Sequence, residues 1–267
     1  MIKAKKKFGQ NFLKDSFILD KIIQSIPKNS DINLVEIGAG LGDLTKKLLE
    51  ISKVRSYEID EELFTILSKN FKTEITNSRL NLILGDVLEF WQKDNLLDES
   101  YFLVANLPYY VATNIILKAI DDKNCVGFIV MIQKEVALKF TLNDKNSNSL
   151  SLIANLNGEI NLLFDVPNTS FKPMPKVMSS VIKFDKFNNF GDLKMQDYFD
   201  YKNFLRICFS SPRKTLFSNL TTKFKKNFVV KIFEDINLDK KIRPHQSNNT
   251  LLIKIFNFLK VENGRKE

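Results

Sequence analysis

Three features at the ends of predicted strands have the residue types of a nucleoside-binding site. Gly38-Ala39-Gly40-Leu41-Gly42 follows a buried apolar run, and such a turn lets backbone amides and a helix N-terminus approach a ligand. Glu58 stands 20 residues after Gly38, where a carboxylate can bridge ribose hydroxyls. Asp86 closes the next strand and can accept from an adenine amine. Either carboxylate could simply cap a helix, but the three features together favour a bound nucleoside.

The glycine spacing discriminates between the candidate ligands. The dinucleotide fingerprint would require a glycine where Asp43 stands, and no phosphate-binding lysine follows as in a P-loop. The Gly-x-Gly-x-Gly pattern with Glu58 and Asp86 instead resembles the S-adenosylmethionine site of class I methyltransferases. The resemblance implies that Gly38 and Gly40 approach S-adenosylmethionine, whose sulfonium supplies the reactive methyl group.

The tetrapeptide Asn106-Leu107-Pro108-Tyr109 resembles the (N/D/S)-P-P-(Y/F) motif of methyltransferases that act on exocyclic amines of nucleobases. Such an amine is a poor nucleophile because its lone pair is delocalised into the ring. Acceptors aimed at its hydrogens stabilise the positive charge that grows as the methyl group arrives. The Asn106 side-chain oxygen and the Leu107 carbonyl suit that role. Pro108 stiffens the turn, and Tyr109 can stack on the base. An ordinary strand-to-helix turn is the alternative.

A second aromatic face is expected on the other side of the target base. A duplex hides the reacting amine, so the base must be unpaired or flipped out and held between planar groups. Phe171 lies among prolines and lysines in the segment Asn168–Lys176, which makes it the candidate. Phenylalanine occurs 23 times in the chain, and an arbitrary one more often belongs to the core.

The elements that position these residues alternate between strands and helices. A helix capped by Asp15 or Ser16 is predicted to end at Pro27. Alternation of this kind predicts an α/β fold with a parallel sheet and helices on both faces. Seven apolar runs predict its strands: Ile32–Ile37, Lys53–Ile59, Leu80–Leu84, Tyr101–Ala105, Val126–Ile132, Glu159–Val166 and Val177–Phe184. A polar loop is predicted at Asn143–Ser149.

The charge distribution divides the chain. The formal net charge is +9, yet residues 1–182 hold 22 basic and 22 acidic residues, whereas residues 183–267 hold 18 and 9. The segment beyond Asp185 also has helical apolar spacing. We therefore expect a basic N-terminal arm at 1–14, a catalytic domain at 15–187 and a basic helical RNA-binding domain at 188–267. Basic clusters of this kind either solvate a surface or neutralise phosphates.

The composition excludes several classes of function. Two cysteines far apart and a single histidine leave no disulfide framework and no usual zinc spacing, so no metal is expected. No apolar run approaches the roughly 20 residues of a membrane span. A cytoplasmic protein without a membrane partner is therefore expected.

Six motifs in register resemble those of bacterial small-subunit ribosomal RNA adenine dimethyltransferases, over roughly Lys3 to Leu259. Besides Asn106–Tyr109, these motifs are Lys7–Leu13, Val35–Gly42, Gln133–Val136, Phe171–Val177 and Arg213–Thr215. The resemblance implies a Rossmann-like class I methyltransferase with a mostly parallel seven-stranded sheet and a small all-helical C-terminal domain.

The resemblance also implies the activity and the site. The activity is N6,N6-dimethylation of two adjacent adenosines in the 3′-terminal hairpin loop of 16S ribosomal RNA, within an immature small ribosomal subunit. The protein would act as a monomer. Arg213 and Lys214 would bind RNA, and the segment through Tyr109 and Phe171 would hold the base. S-adenosylmethionine would be contacted by Asn11, Leu13, Gly38, Glu58, Asp86 and Asn106.

Three alternatives remain open at this point. A 23S ribosomal RNA adenine methyltransferase of the macrolide-resistance type has the same chemistry on another RNA, and the motifs Phe8–Leu13 and Asn106–Tyr109 disfavour it. A non-catalytic RNA-binding assembly factor would keep the fold without turnover, which intact Glu58 and Asp86 disfavour. A dehydrogenase is disfavoured by Asp43.

Overall fold

The chain forms two compact units. The computed structural model describes residue 5 and residues 8–28, 32–91, 95–141, 147–187 and 190–263, with the side chains of 261–263 excluded. One unit comprises residues 1–138 and 159–186, and the other comprises residues 139–158 and 187–267. Much of the predicted basic arm, Lys3, Lys6 and Lys7 included, lies outside the described residues, as does most of the predicted polar loop.

The first unit is built on a mostly parallel sheet. The strands of the chain are β1 Phe12–Leu13, β2 Asn33–Ile37, β3 Val54–Glu58, β4 Leu80–Leu84, β5 Tyr101–Asn106, β6 Cys125–Gln133, β7 Gly158–Val166, β8 Phe171–Lys172 and β9 Ser179–Lys186. Seven of them form one sheet in the order β4-β3-β2-β5-β6-β9-β7. Strands β2 to β6 pair in parallel, whereas β9 runs antiparallel to β6. The predicted seven-stranded Rossmann-like sheet is confirmed.

Helices follow most strands of this sheet. Those that begin in the first unit are α1 Ser16–Gln24, α2 Asp43–Ile51, α3 Glu61–Asn70, α4 Lys72–Thr76, α5 Val87–Phe90, α6 Ala112–Asp121 and α7 Lys134–Phe140. The residue that caps α1 is Asp15, whose carboxylate accepts from the amides of Phe17 and Ile18 at 3.1 and 3.3 Å.

The core of the first unit lies around the central strand β5. Its residues from Tyr101 to Ala105 are at most 3% exposed. A parallel sheet with helices on both faces buries both sides of its strands, so central strands are continuously apolar. This burial holds the carboxyl ends of β2, β3 and β5 in fixed positions at one edge of the sheet.

The second unit is helical. Its helices are α8 Ser149–Asn157, α9 Tyr198–Cys208, α10 Leu216–Leu220, α11 Lys226–Asp235 and α12 Asn249–Asn263. Among the helices of the described residues, none has the length and apolar character that crossing a bilayer requires.

Helix α8 differs from the sequence expectation, which placed residues 139–158 with the catalytic domain and predicted no helix at Ser149–Asn157. Hydrogen bonds group this segment with the second unit: Ser147 Oγ donates to the Ser247 carbonyl at 2.6 Å, and Asn249 Nδ2 donates to the Leu152 carbonyl at 2.9 Å. The partners are about a hundred positions apart in the chain, so local sequence patterns do not reveal them.

Candidate active site

The glycine turn after β2 brings backbone close to other parts of the first unit. Gly38, Gly40 and Gly42 have φ angles of 77°, 62° and 86°, a region that glycine enters without the steric cost of a Cβ atom. A Cβ at Gly42 would lie 2.5 Å from the Phe71 ring, and one at Gly40 would lie 3.2 Å from the Phe12 ring. Both the backbone conformation and the limited space therefore favour glycine in this turn.

Glu58 joins the glycine turn to the end of β3. Its carboxylate accepts from the Gly40 amide at 2.8 Å and from the Asp60 amide at 3.0 Å. Glu58 is only 4% exposed. Burial raises the pKa of its carboxyl group above the ordinary value, and the backbone hydrogen bonds offset part of that rise. The carboxylate is thus held at one orientation beside the turn.

The N-terminal arm is held over this site by Asp60. Gln10 Nε2 donates to one carboxylate oxygen of Asp60 at 2.8 Å, and Lys5 Nζ donates to the other at 2.6 Å. Burial alone would raise the pKa of Asp60, but the hydrogen bonds from Lys5 and Gln10 hold it below the ordinary value. The same carboxylate caps α3 through the Glu62 amide. One residue therefore connects the arm, α3 and the loop beside Glu58.

The predicted tetrapeptide follows β5 and begins with an oriented amide. Asn106 Nδ2 donates to the Asn11 carbonyl at 3.0 Å. The other polar atom of the Asn106 amide group, its side-chain oxygen, is an acceptor. The Leu107 amide donates to the Met131 carbonyl at 3.1 Å. Tyr109 Oη and Ser179 Oγ lie 3.0 Å apart. Hydrogen bonds to the arm, β6 and β9 therefore fix both ends of the tetrapeptide.

These parts line a single cavity of about 840 Å³, its open mouth included. The walls come from arm residues 8–13, glycine-turn residues 38–41, Glu58 with Ile59, and residues 106–109. The lining is mainly apolar with a few carboxylate and amide groups, as in cofactor sites.

Most of the predicted site residues meet at this cavity. Nine of them line it: Asn11, Leu13, Gly38, Gly40, Glu58, Asn106, Leu107, Pro108 and Tyr109. Asp86 and Phe171 are not among the lining residues. Arg213 and Lys214 belong to the second unit, where both are exposed.

Asp86 acts here as a helix cap. Its carboxylate accepts from the Leu88 amide at 2.9 Å at the start of α5. This is the helix-cap role that the sequence left open as the alternative to binding adenine. Its charge also reaches Tyr110, whose pKa is raised by burial and further by Asp86. In this conformation Asp86 stands outside the cavity wall, so its contact with adenine stays a prediction.

Phe171 lies in the core and does not offer an open face. It is 2% exposed and belongs to the main hydrophobic cluster, and strand β8 pairs it with Leu13 of β1. A ring packed on both sides cannot stack on a base without leaving the core. The expected stacking role of Phe171 therefore needs a rearrangement of this segment and stays a prediction.

Arg213 and Lys214, the predicted RNA-binding pair, lie in the loop between α9 and α10 of the second unit, called the braced loop here. Asn219, fully buried, donates from Nδ2 to the carbonyls of Cys208 and Ser211 at 2.8 and 3.1 Å. The Lys214 amide donates to the Ser211 carbonyl at 2.9 Å. The loop therefore displays its two cations from a fixed backbone.

Sequence reasoning did not single out two buried residues of the first unit, Glu36 and Ser179. Glu36 is 1% exposed and accepts from Thr45 and Ser56 at 2.7 and 2.8 Å through one oxygen, Oε2. Among the described residues, no group hydrogen-bonds its other oxygen. Burial raises the pKa of Glu36 to about 7. Ser179 is the second, because only the folded sheet brings it to Tyr109.

The sheet order, the glycine turn and the carboxylate at the end of β3 define a class I methyltransferase. The family described as "Ribosomal RNA adenine dimethylase" matches residues 1–260 of the 267, so the chain belongs to that family.

Relatives and solved structures agree with this assignment. The "Ribosomal RNA small subunit methyltransferase A" of Campylobacter hominis is 52% identical over 99% of each chain. A dimethyladenosine transferase from Plasmodium falciparum has a similar structure, with a TM-score of 0.76 at 26% identity over 93% of this chain and 98% of that one. The 23S rRNA methyltransferase ErmE is similar in fold, with a TM-score of 0.72 at 21% identity over 94% and 100%.

Proposed function

We propose that this protein transfers methyl groups from S-adenosylmethionine to N6 of two adjacent adenosines in the 3′-terminal hairpin loop of 16S ribosomal RNA. The substrate is 16S ribosomal RNA within an immature small ribosomal subunit, and the protein works as a cytoplasmic monomer. One observation carries the proposal: Glu58, the glycine turn and the tetrapeptide Asn106–Tyr109 line one cavity. The name of the relative that is 52% identical supports the small subunit as substrate.

The residues that line the cavity suit S-adenosylmethionine in their chemistry. A Cβ at Gly40 would crowd the Phe12 ring at 3.2 Å, so glycine lets the turn approach the arm closely at the cavity wall. The Glu58 carboxylate is placed to accept from ribose hydroxyls, and Asn11 and Leu13 would close over the ligand from the arm. When bound, S-adenosylmethionine supplies an electrophilic methyl group on a sulfonium.

The chain's own contribution is to activate and orient the amine. The Asn106 side-chain oxygen accepts from the adenine N6 hydrogens, because its Nδ2 is already engaged with the Asn11 carbonyl. This contact stabilises the positive charge that develops on N6 as the nitrogen forms its bond to the methyl carbon and the sulfur–carbon bond breaks. The resulting ammonium loses its proton to water. Tyr109, held by Ser179, provides a face for the base.

The basic second unit supplies the RNA affinity in this proposal. Arg213 and Lys214 on the braced loop contact phosphates, and neutralised phosphates release counterions irrespective of sequence. Affinity for the ribosomal particle and chemistry at the base would thus come from different units.

The test is a methylation assay on purified subunits that lack the modification. The protein and labelled S-adenosylmethionine are incubated with small and with large subunits, and the modified nucleoside is mapped by mass spectrometry. We expect N6,N6-dimethyladenosine at two adjacent positions of small-subunit RNA only. Modification of the large subunit instead would favour the 23S alternative. Tight RNA binding with no methyl transfer would favour the non-catalytic assembly factor.

A further inference from the structure

Tyr110, the residue directly after the tetrapeptide, is an aromatic side chain with a defined place at the surface. The residue is 59% exposed. It lies in a turn in which the amides of Val111 and Ala112 both donate to the Pro108 carbonyl, at 3.2 and 3.1 Å. Helix α6 begins at Ala112. The hydrogen-bonded turn therefore fixes the backbone from which the Tyr110 ring projects.

One edge of the Tyr110 ring faces the N-terminal arm. A Cβ atom placed on Gly9 would lie 3.4 and 3.7 Å from Cδ1 and Cε1 of Tyr110, and 3.9 Å from Cβ of Pro108. The arm turns at this point, since Gly9 has a φ of 60° and its carbonyl accepts from Asn11 Nδ2 at 3.2 Å. The arm backbone at Gly9 therefore passes close beside the ring.

The position at Gly9 is followed by two other attachments of the arm. Gln10 donates to the Asp60 carboxylate at 2.8 Å, and the Asn11 carbonyl accepts from Asn106 at 3.0 Å. Gly9, Gln10 and Asn11 all line the cavity. Three successive arm residues thus meet three different segments of the first unit, and the first of these contacts depends on the ring that precedes α6.

The position of the arm bears on the release of a ligand from the cavity. Arm residues 8–13 form one wall of the cavity, so an enclosed ligand leaves more readily when this wall moves away. Segments that close over a ligand often set the rate of its release. A contact that stabilises the docked arm therefore slows dissociation even when it does not touch the ligand.

We infer that the Tyr110 ring is a positioning residue that holds the arm against the cavity and slows the dissociation of S-adenosylmethionine. Tyr110 is not among the residues that line the cavity, so it acts through Gly9. The inference rests on the proposed function, because the enclosed ligand is S-adenosylmethionine. The ring carbons that face Gly9 are also present in phenylalanine, so the hydroxyl group is dispensable for this role.

The docking of the arm is tested on the protein without ligand. Hydrogen–deuterium exchange measured by mass spectrometry reports how often the peptide containing residues 8–13 opens. We expect Tyr110→Ala to raise its exchange rate about fivefold, as for the loss of one side-chain contact, and Tyr110→Phe to keep the wild-type rate. Phe199→Ala removes a ring that is 65% exposed from the second unit, and it should leave the exchange of the arm unchanged.

The effect on the cofactor is measured by stopped-flow dissociation of S-adenosylmethionine in the absence of RNA. Tyr110→Ala should raise the dissociation rate and the dissociation constant about fivefold, while Tyr110→Phe and Phe199→Ala match the wild type. In steady-state methylation, KM for S-adenosylmethionine should rise by the same factor at unchanged kcat, because the ring affects binding and not the methyl transfer itself.

Three results would overturn the inference. The first is wild-type exchange of the arm in Tyr110→Ala. The second is an equal rise of exchange in peptides of the core strand β5, which would mean general destabilisation. The third is a lower kcat/KM for RNA with wild-type dissociation of S-adenosylmethionine, because the ring would then act on the RNA.

The proposed function can fail separately from this inference. If the wild type binds S-adenosylmethionine but methylates no small subunits, the proposed function fails, and the exchange and dissociation rates still decide the role of Tyr110. If the wild type binds no S-adenosylmethionine, both are overturned.

Discussion

Glu36 is a buried carboxyl group two residues before Gly38 of the glycine turn, and we expect it to make the stability of the protein depend on pH. Burial raises its pKa from 4.5 to about 7, so the folded protein holds a proton that the unfolded chain has lost between these values. Stability therefore falls as pH rises from about 4.5 to about 7 and levels off above that. The single hydrogen-bonded oxygen explains why the charged form is poorly compensated.

Replacing Glu36 with glutamine should remove this dependence. We expect the free energy of unfolding of the wild type to drop by up to about 3 kcal/mol relative to Glu36→Gln between pH 4.5 and pH 8. Urea unfolding at a series of pH values measures it. The exposed Glu61→Gln serves as control and should follow the wild-type curve. Parallel curves for wild type and Glu36→Gln would show that the pKa of Glu36 is the same in the folded and the unfolded protein.

Tyr109 and Ser179 form a hydrogen-bonded pair whose role in catalysis can be tested by a double-mutant cycle. If Ser179 acts by fixing the Tyr109 ring, Tyr109→Phe and Ser179→Ala should each lower kcat/KM for RNA about fivefold, and the double variant should lose no more than either. The affinity for S-adenosylmethionine should stay at the wild-type value.

The neighbouring Ser180 provides the control for this cycle. Its hydroxyl donates to Asp165 at 2.7 Å, so Ser180→Ala combined with Tyr109→Phe should show additive losses. Additive losses for the Ser179 pair as well would show that Ser179 has no role through Tyr109.

At the scale of elements, the arm, β3 and α3 are coupled by Asp60. Its contacts to Gln10 and Lys5 place arm residues 8–13 on the cavity wall. Asp60→Asn keeps the helix cap but loses the charge that binds Lys5. We expect the dissociation constant for S-adenosylmethionine to rise about tenfold, measured by calorimetry.

The matched control for Asp60 is Asp20→Asn. Asp20 pairs with Lys47 at 2.9 Å on the surface, away from the cavity wall. Its replacement should leave the affinity for S-adenosylmethionine unchanged. Equal effects of Asp20→Asn and Asp60→Asn would mean that charge in general, not docking of the arm, determines the affinity.

The strands of the catalytic unit could be predicted from the sequence because their burial makes them continuous apolar runs. Tyr101–Ala105 is such a run, and β5 covers it with one residue more. Helix α8 could not be predicted in the same way. Its buried residues include Leu152, Ile153 and Ala154 in succession, so it has no clear polar face, and helical periodicity is hidden.

The candidate site was predictable where one short segment carries its own chemistry. The glycine turn and Asn106–Tyr109 have this property. The contacts of Asp60 with Gln10, and of Tyr109 with Ser179, join residues 50 and 70 positions apart, and no local pattern encodes such a pairing. The burial of Phe171 could not be predicted for a related reason, since prolines suggest an exposed loop while the β1–β8 pairing places the ring in the core.

At the scale of the whole molecule, the two units differ in charge. Residues 139–158 and 187–267 contain 18 basic and 9 acidic residues, whereas the first unit contains 22 of each. The net charge of +9 therefore belongs entirely to the helical unit. Such a charge attracts RNA over a distance comparable to the Debye length.

The RNA contribution of the second unit can be measured at its braced loop. Arg213→Ala and Lys214→Ala should weaken RNA binding and lower its salt slope, with unchanged affinity for S-adenosylmethionine. Asn219, which holds the loop, is left intact in both variants. An unchanged slope would show that the two cations serve packing within the second unit instead.

The most direct measurement compares wild type and Asn106→Ala in single-turnover methylation of unmodified small subunits, with product nucleosides mapped by mass spectrometry. The account predicts two adjacent N6,N6-dimethyladenosines with the wild type. It predicts a rate about 100- to 1,000-fold lower with the variant, while S-adenosylmethionine still binds within about tenfold. Full-rate methyl transfer by Asn106→Ala would contradict the account.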